Sequence, residues 1–179
     1  GDALALADQV FLFKRTVRQA ALKHDIYATF MAKPHQFEPG SAMHIHQSVV
    51  STQSGLNLFS SPEGDDTNLF RAHIAGMQKY LHDAMALLGP NVNSYRRLVK
   101  DYAAPINTHW GHENRTVGLR VPASRPHSRR VENRIPGADA NAYLAFAASL
   151  VCGYLGMADM LEPTAPLQKN AYSVKSQRL

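Results

Sequence analysis

The sequence predicts an α+β fold, and three observations carry that prediction. Long stretches of helical period occur near the start, in the middle and towards the end of the chain. Between them lie short segments whose apolar residues alternate with polar ones, the period of a half-buried strand. The two kinds of segment alternate irregularly, unlike the regular strand–helix repeat of a doubly wound sheet. At 179 residues with 45% hydrophobic content, the chain is large enough to bury a real core, as one domain or part of a larger one.

Taken in order, residues 4–24 carry Val10, Leu12, Val17, Ala20, Ala21 and Leu22 on a broad apolar face and predict a helix. Residues 27–32 predict a short strand. Residues 33–40 hold Pro34, Pro39 and Gly40 and are a loop. Residues 41–50 predict a strand, and 51–67, rich in Ser, Gly, Asp and Asn, an exposed loop. Residues 68–88 predict one amphipathic helix, with Leu69, Ile74, Met77, Leu81 and Met85 near helical spacing and Gly89-Pro90 as its stop. Residues 91–110, with Pro105 among them, predict irregular structure. Strands are expected at 115–121 and 129–135 around a proline-bearing turn at 122–128. Asp139 is the expected cap of a last helix over 140–161, and the tail from 162 is expected to be extended or mobile. No internal repeat is visible. The first residue leads almost directly into a helix, so the sequence is expected to be a piece of a longer protein.

The net charge of +5 and a pI near 9.5 raise the question of nucleic acid. The basic residues argue against it: Arg115, Arg120, Arg125, Arg129, Arg130 and Arg134 are interleaved with strand-like apolar residues, not gathered on a lysine-rich helix or tail. A lone cysteine, Cys152, excludes a disulfide framework and suits a reducing cytoplasm. The N-terminus has no signal-peptide pattern, and no apolar run reaches the roughly 18 residues of a membrane span.

Two segments carry the chemistry. In 43–48, Met-His-Ile-His-Gln-Ser, strand alternation puts His44, His46 and Ser48 on one face and Met43, Ile45 and Val49 behind. In 129–134, Arg-Arg-Val-Glu-Asn-Arg, the same rule groups Arg130, Glu132 and Arg134. An exposed ion-pair ladder would stabilise a surface strand by less than about 1 kcal/mol. Convergence is the other reading. Two guanidiniums about 4 Å apart at an effective dielectric near 20 repel by about 4 kcal/mol, so a buried group of arginines calls for an anion such as phosphate or carboxylate. Imidazole and carboxylate together suit a divalent metal, although one of each leaves the shell of Mg²⁺ or Mn²⁺ incomplete. The set points to ATP chemistry. Arg96-Arg97 is a weaker signal, and Gly40 allows close backbone approach to a ligand.

These segments, read with Lys33-Pro34 and Gly40-Ser41-Ala42, resemble the ATP-region signature of glutamine synthetases. Blocks at 93–98, 114–122, 129–134 and 139–148 follow in the family's order, so the resemblance spans essentially the whole chain. It implies antiparallel strands curved into a half-barrel and flanked by helices, with residues 1–179 as the central part of the catalytic domain. The N-terminal β-grasp domain, the C-terminal part and the remaining metal-binding glutamates would lie outside it, so the isolated piece is expected to be inactive. The resemblance implies that His44 and Glu132 are metal ligands, and that His46, Ser48, Arg120 and Arg130 lie at the nucleotide. Gly40, Arg97 and Arg134 would hold glutamate, and Arg115 would stabilise the transferring phosphoryl group. It further implies ATP with Mg²⁺ or Mn²⁺, glutamate and an amine as substrates, and a double-ringed homo-oligomer.

Three departures matter. Pro39 stands where ammonia-using members carry asparagine, Ala103 where they carry a glutamate that binds ammonium and takes its proton, and His127 where lysine is common. The phrase Glu38-Pro39-Gly40-Ser41-Ala42-Met43-His44 looks most like the γ-glutamylpolyamine synthetase branch. The expected activity is therefore ATP-dependent joining of glutamate to a polyamine such as putrescine. Ordinary glutamine synthesis is the alternative, and a non-catalytic relative the third reading.

Overall fold

The computed structural model describes residues 2–175 and 179. Helix α1 (Ala3–Leu22) begins where the Asp2 carboxylate accepts from the N–H groups of Leu4 (2.9 Å) and Ala5 (3.3 Å). Asp25, in left-handed backbone with φ 55°, turns the chain out of the helix. The expected strand at 27–32 does not form. The segment finds no ladder partner, and Tyr27 is 91% exposed, so its β-favouring side chains have no sheet to join.

Four three-residue strands, β1 (Ile45–Gln47), β2 (Trp110–His112), β3 (Leu119–Val121) and β4 (Val131–Asn133), form an open sheet in the order β1-β4-β3-β2. Pairing is antiparallel from β1 through β4 to β3, as expected, and β2 joins β3 in parallel. Only residues 113–118 connect that parallel pair. Such a short return suffices because three residues span about 10 Å and Glu113, at φ 52°, reverses the chain at once. The predicted strands were longer than the ladders. Beyond 45–47, the 41–50 segment is held by single bridges of Ala42 to Gly137 and Val50 to Asn57.

The expected helix over 68–88 is divided. Helix α2 (Asn68–Tyr80) is capped by Thr67. Tighter bonds from Met85 N–H to the His82 carbonyl and from Leu87 N–H to the Ala84 carbonyl then separate it from the single turn α3 (Met85–Leu88). Residues 91–110 are more regular than expected. They hold α4 (Val92–Arg97), at whose start the Ser94 hydroxyl accepts from Asn91 N–H at 3.0 Å, and they end on the first residue of β2. The last helix, α5 (Ala142–Ala158), is capped by Asn141, whose side chain accepts from Tyr143 and Leu144 N–H. Asp139, the expected cap, instead accepts from the Ser94 hydroxyl at 2.6 Å and so ties α4 to α5. From 162 to 170 the tail is extended and anchored, and a 3₁₀ turn follows at Ala171–Ser173: Leu167 N–H bonds the Trp110 carbonyl at 2.7 Å, and the Trp110 indole donates to the Thr164 carbonyl at 2.7 Å.

Helix α5 packs against α1, α2, α3 and β1. At its crossing with α2 the backbones nearly touch: a methyl group on Gly76 would strike the Cys152 carbonyl, and one on Gly156 would strike the Ala72 carbonyl. Phe59, Phe70, Ile74, Met77, Trp110, Leu119 and Val131 fill the core. Phe59 is fully buried within the loop expected to be exposed. Cys152 is 4% exposed, and burial together with the Asp83 charge pushes its thiol up to about 11. Among the described residues no helix is long and apolar enough to cross a membrane.

Candidate active site

Strand alternation places the side chains of β1 and β4 as the sequence predicts. Ile45 and Gln47 are buried, while His44, His46 and Ser48 lie on the open face. Behind the sheet, the Ser149 hydroxyl of α5 donates to Gln47 Oε1 (2.8 Å) and accepts from Asn133 Nδ2 (2.9 Å), which fixes the facing strands. The register sets His46 opposite Glu132 on β4, and Glu132 opposite Arg120 on β3. Three elements thus bring their charged residues to one carboxylate.

Glu132 Oε1 lies 2.8 Å from His44 Nδ1 and accepts from Arg134 Nη1 at 2.7 Å, while Oε2 accepts from Arg120 Nη1 at 2.7 Å. Burial pushes the Glu132 carboxyl upward, but the hydrogen bonds from His44 and Arg120 and the charge of Arg134 outweigh it. The carboxyl is held well below the usual range and is ionised. Arg120 is shared with an exposed second carboxylate, since its Nη2 reaches Glu113 at 3.1 Å. Next along the face, Arg130 Nε bonds His46 Nδ1 at 3.2 Å. Burial, opposed by Glu132 and reinforced by Arg130, keeps the His46 imidazole below its ordinary value.

Gly40 and Arg97 form the neighbouring half of the site. The aliphatic stem of Arg97 lies where a Gly40 side chain would be, and the Ala32 carbonyl closes the other side. The Arg97 guanidinium donates to the Ile135 carbonyl and, at 3.4 Å, to that of Arg134. Burial, partly offset by Asp139 and reinforced by Arg134, lowers Arg97 to about 10. The Nε atoms of Arg97, Arg120 and Arg134 are buried without a hydrogen-bond partner among the described residues, which leaves donor capacity. Arg134 Nη2 donates to the Ala103 carbonyl at 3.1 Å. Ser48 and Arg115 are exposed and make no side-chain hydrogen bond among the described residues, so the structure does not draw them into the cluster.

His44 Nδ1 and Glu132 Oε1 lie 2.8 Å apart and share a proton; a divalent cation held by both residues would take that proton's place, and they could supply two positions of its shell. Among the described residues no group of three or more His, Cys, Asp or Glu side chains could complete one. The sequence reading missed Glu113, whose approach to Arg120 depends on the left-handed turn after β2. It also missed the second cluster, in which Asp66 pairs with Arg129 and with His112 (3.0 Å) and pins the 51–67 loop to β2. No periodic pattern links those three positions.

The pattern described as "Glutamine synthetase, catalytic domain" matches residues 1–179. The chain belongs to the glutamine synthetase family. Within that family it is 45% identical over 168 residues to the γ-glutamylputrescine synthetase PuuA of Escherichia coli (strain K12), covering 94% of this chain and 34% of that protein. It is 41% identical to the glutamine synthetase of Pyrococcus horikoshii (99% of this chain, 39% of that protein). It is also 42% identical to a glutamate–isopropylamine ligase of Pseudomonas sp (97% and 38%). The chain therefore spans a little over a third of the length of these curated relatives. Family membership agrees with the α+β fold around a four-stranded sheet.

Proposed function

We propose that this chain is the central part of the catalytic domain of an ATP-dependent ligase that joins the γ-carboxylate of glutamate to an amine larger than ammonia, with a polyamine such as putrescine as the expected acceptor. The observation that carries this reading is Ala103. Its carbonyl holds Arg134, one of the proposed glutamate-binding arginines, which brings residue 103 beside the proposed glutamate pocket. Alanine contributes no carboxylate there and leaves space. Relatives named for putrescine and for isopropylamine, at 45% and 42% identity, support the same reading.

In this reading a γ-carboxylate oxygen attacks the γ-phosphorus of ATP and ADP leaves. The amine nitrogen then attacks the carbonyl carbon of the acyl phosphate, inorganic phosphate leaves, and the nitrogen gives up a proton. Arg97, Arg134 and the Gly40 backbone hold glutamate. His46, Ser48, Arg120 and Arg130 lie along ATP, and Arg115, exposed and free to swing, meets the transferring phosphoryl group. His44 and Glu132 would hold one Mg²⁺ or Mn²⁺, which when bound neutralises charge on the phosphates. Glu132 has a second role: it keeps Arg120 and Arg134 preorganised, so little reorganisation is needed when negative charge develops. Exposed apolar side chains on α1 and α5, among them Phe11, Phe13, Val151 and Tyr154, suit contacts in a ring-shaped homo-oligomer.

Phosphate release by the intact protein with ATP, Mg²⁺ and glutamate, comparing putrescine with ammonium, tests the reading. Turnover with putrescine and little with ammonium is expected. Turnover with ammonium alone would return the protein to ordinary glutamine synthesis, and none with any amine would leave a non-catalytic relative.

A further inference from the structure

Residues 100–105 form a loop in an unfavourable backbone conformation. Asp101 (φ 68°) and Ala103 (φ 58°) are both left-handed, although neither is glycine. Such residues persist only where their surroundings over-determine them. Three contacts hold this loop. Arg134 grips the Ala103 carbonyl at 3.1 Å, and the Tyr172 hydroxyl donates to the Ala104 carbonyl at 2.9 Å. The third is at Tyr102, between the two left-handed residues: the Lys33 ammonium lies 3.8 Å from the centre of its ring.

Lys33 is 6% exposed, unusual for a lysine, and it reaches three parts of the site. Its ammonium donates to the Glu38 carbonyl, closing the 33–40 loop that ends at Gly40. Ser41 N–H bonds the Ala32 carbonyl at 2.8 Å across the base of the same loop. The Lys33 backbone is tied in both directions to Asn93 on α4: its N–H donates to Asn93 Oδ1 (2.8 Å), and its carbonyl accepts from Asn93 Nδ2 (2.9 Å). Asn93 lies one helical turn before Arg97 on α4. Gly40, Arg97 and the loop that steadies Arg134 therefore meet at one side chain.

We propose that Lys33 is a positioning residue: by clamping Tyr102 and the Glu38 carbonyl it holds the Gly40 loop, α4 and the strained 100–105 loop as one unit, which sets the geometry of Arg97 and Arg134 for glutamate. This rests on the glutamate-ligase reading. A cation over a desolvated aromatic ring and a charged hydrogen bond are together strong enough to stabilise a strained loop. The clamp lies behind the arginines, so its loss acts on glutamate binding more than on phosphoryl transfer.

The test uses the intact protein with Lys33→Met, Tyr102→Leu, their double variant, and Tyr102→Phe, which keeps the ring. Each single variant is expected to raise KM for glutamate about tenfold, roughly 1.4 kcal/mol, with a much smaller change in kcat. The double variant should be no worse than Lys33→Met alone, and Tyr102→Phe should behave as the parent. Additive effects, or an unchanged KM in Lys33→Met, would overturn the proposal. Hydrogen exchange supplies a readout that needs no turnover: amides of 100–105 should exchange about tenfold faster in Lys33→Met while those of α5 do not. Unchanged or uniformly faster exchange would overturn it as well. Should the parent fail to ligate glutamate to any amine, the ligase reading fails and the exchange result alone decides on Lys33. If Lys33→Met does not fold, the Tyr102→Leu and Tyr102→Phe pair decides it on the same readouts.

Discussion

The two faces of the sheet are organised by different forces. On the open face, one carboxylate holds two guanidiniums and an imidazole, and the geometry comes from charge and directional hydrogen bonds. On the covered face, α5 and α2 approach until glycine is required at their crossing, and the geometry comes from volume. Charge organisation concentrates the energetic role in one residue, whereas packing shares it among many. Substitutions can therefore separate the two.

The largest effect is expected from Glu132→Ala, which leaves Arg134 without its carboxylate and Arg120 with only the exposed Glu113. Removing one partner from a buried ion cluster destabilises by about 3–5 kcal/mol, so the denaturant midpoint of the intact protein should fall accordingly. A small loss would mean that the open face is organised like an ordinary surface. On the covered face, Gly156→Val drives a side chain into the Ala72 carbonyl and the Gly76 backbone. Overpacking of this kind should destabilise by about 3 kcal/mol, whereas the same change at Gly55, with open space around it but φ 71°, tests backbone strain alone.

The covered face also carries a titratable group. His73 is 1% exposed against Phe59 and Gly153, and burial lowers its imidazole to about 4. Its folded value lies below the unfolded 6.5, so the unfolded chain takes up the proton first as pH falls. The contribution is present above pH 6.5 and is lost as pH drops through about 4, on the order of 3 kcal/mol in all. Between pH 6.5 and about 4 the parent should lose up to that amount relative to His73→Phe if the ring is the cause. A parallel pair of curves would remove it. The smallest effect is expected at the α5 cap, where Asn141→Ala should lose about 1 kcal/mol, measured by thermal denaturation.

Legibility in the sequence followed the range of the force involved. Strand period two is a local property of the backbone, so the shared face of His44, His46 and Ser48 and that of Arg130, Glu132 and Arg134 could be read directly. Which residue of one strand meets which of another depends on register, and neither the pairing of Glu132 with His44 nor that with Arg120 follows from spacing. Residues 27–32 have strand composition but no partner strand, and composition cannot supply one. Helix α4 is too short to display a period. Strand β2 has Gly111 at its centre because the Leu167 carbonyl passes against it, a contact from a segment far along the chain. The contacts of Lys33 are not legible for the same reason: its partners Asn93 and Tyr102 lie far downstream.

The burial of Cys152 has a kinetic consequence. With its thiol near 11, about one molecule in ten thousand carries the reactive thiolate at neutral pH, and that thiolate is walled in by the two touching helices. Alkylation of this chain is therefore clocked by how often α2 and α5 come apart. The sole cysteine is a built-in timer of helix separation, silent while the covered face is intact.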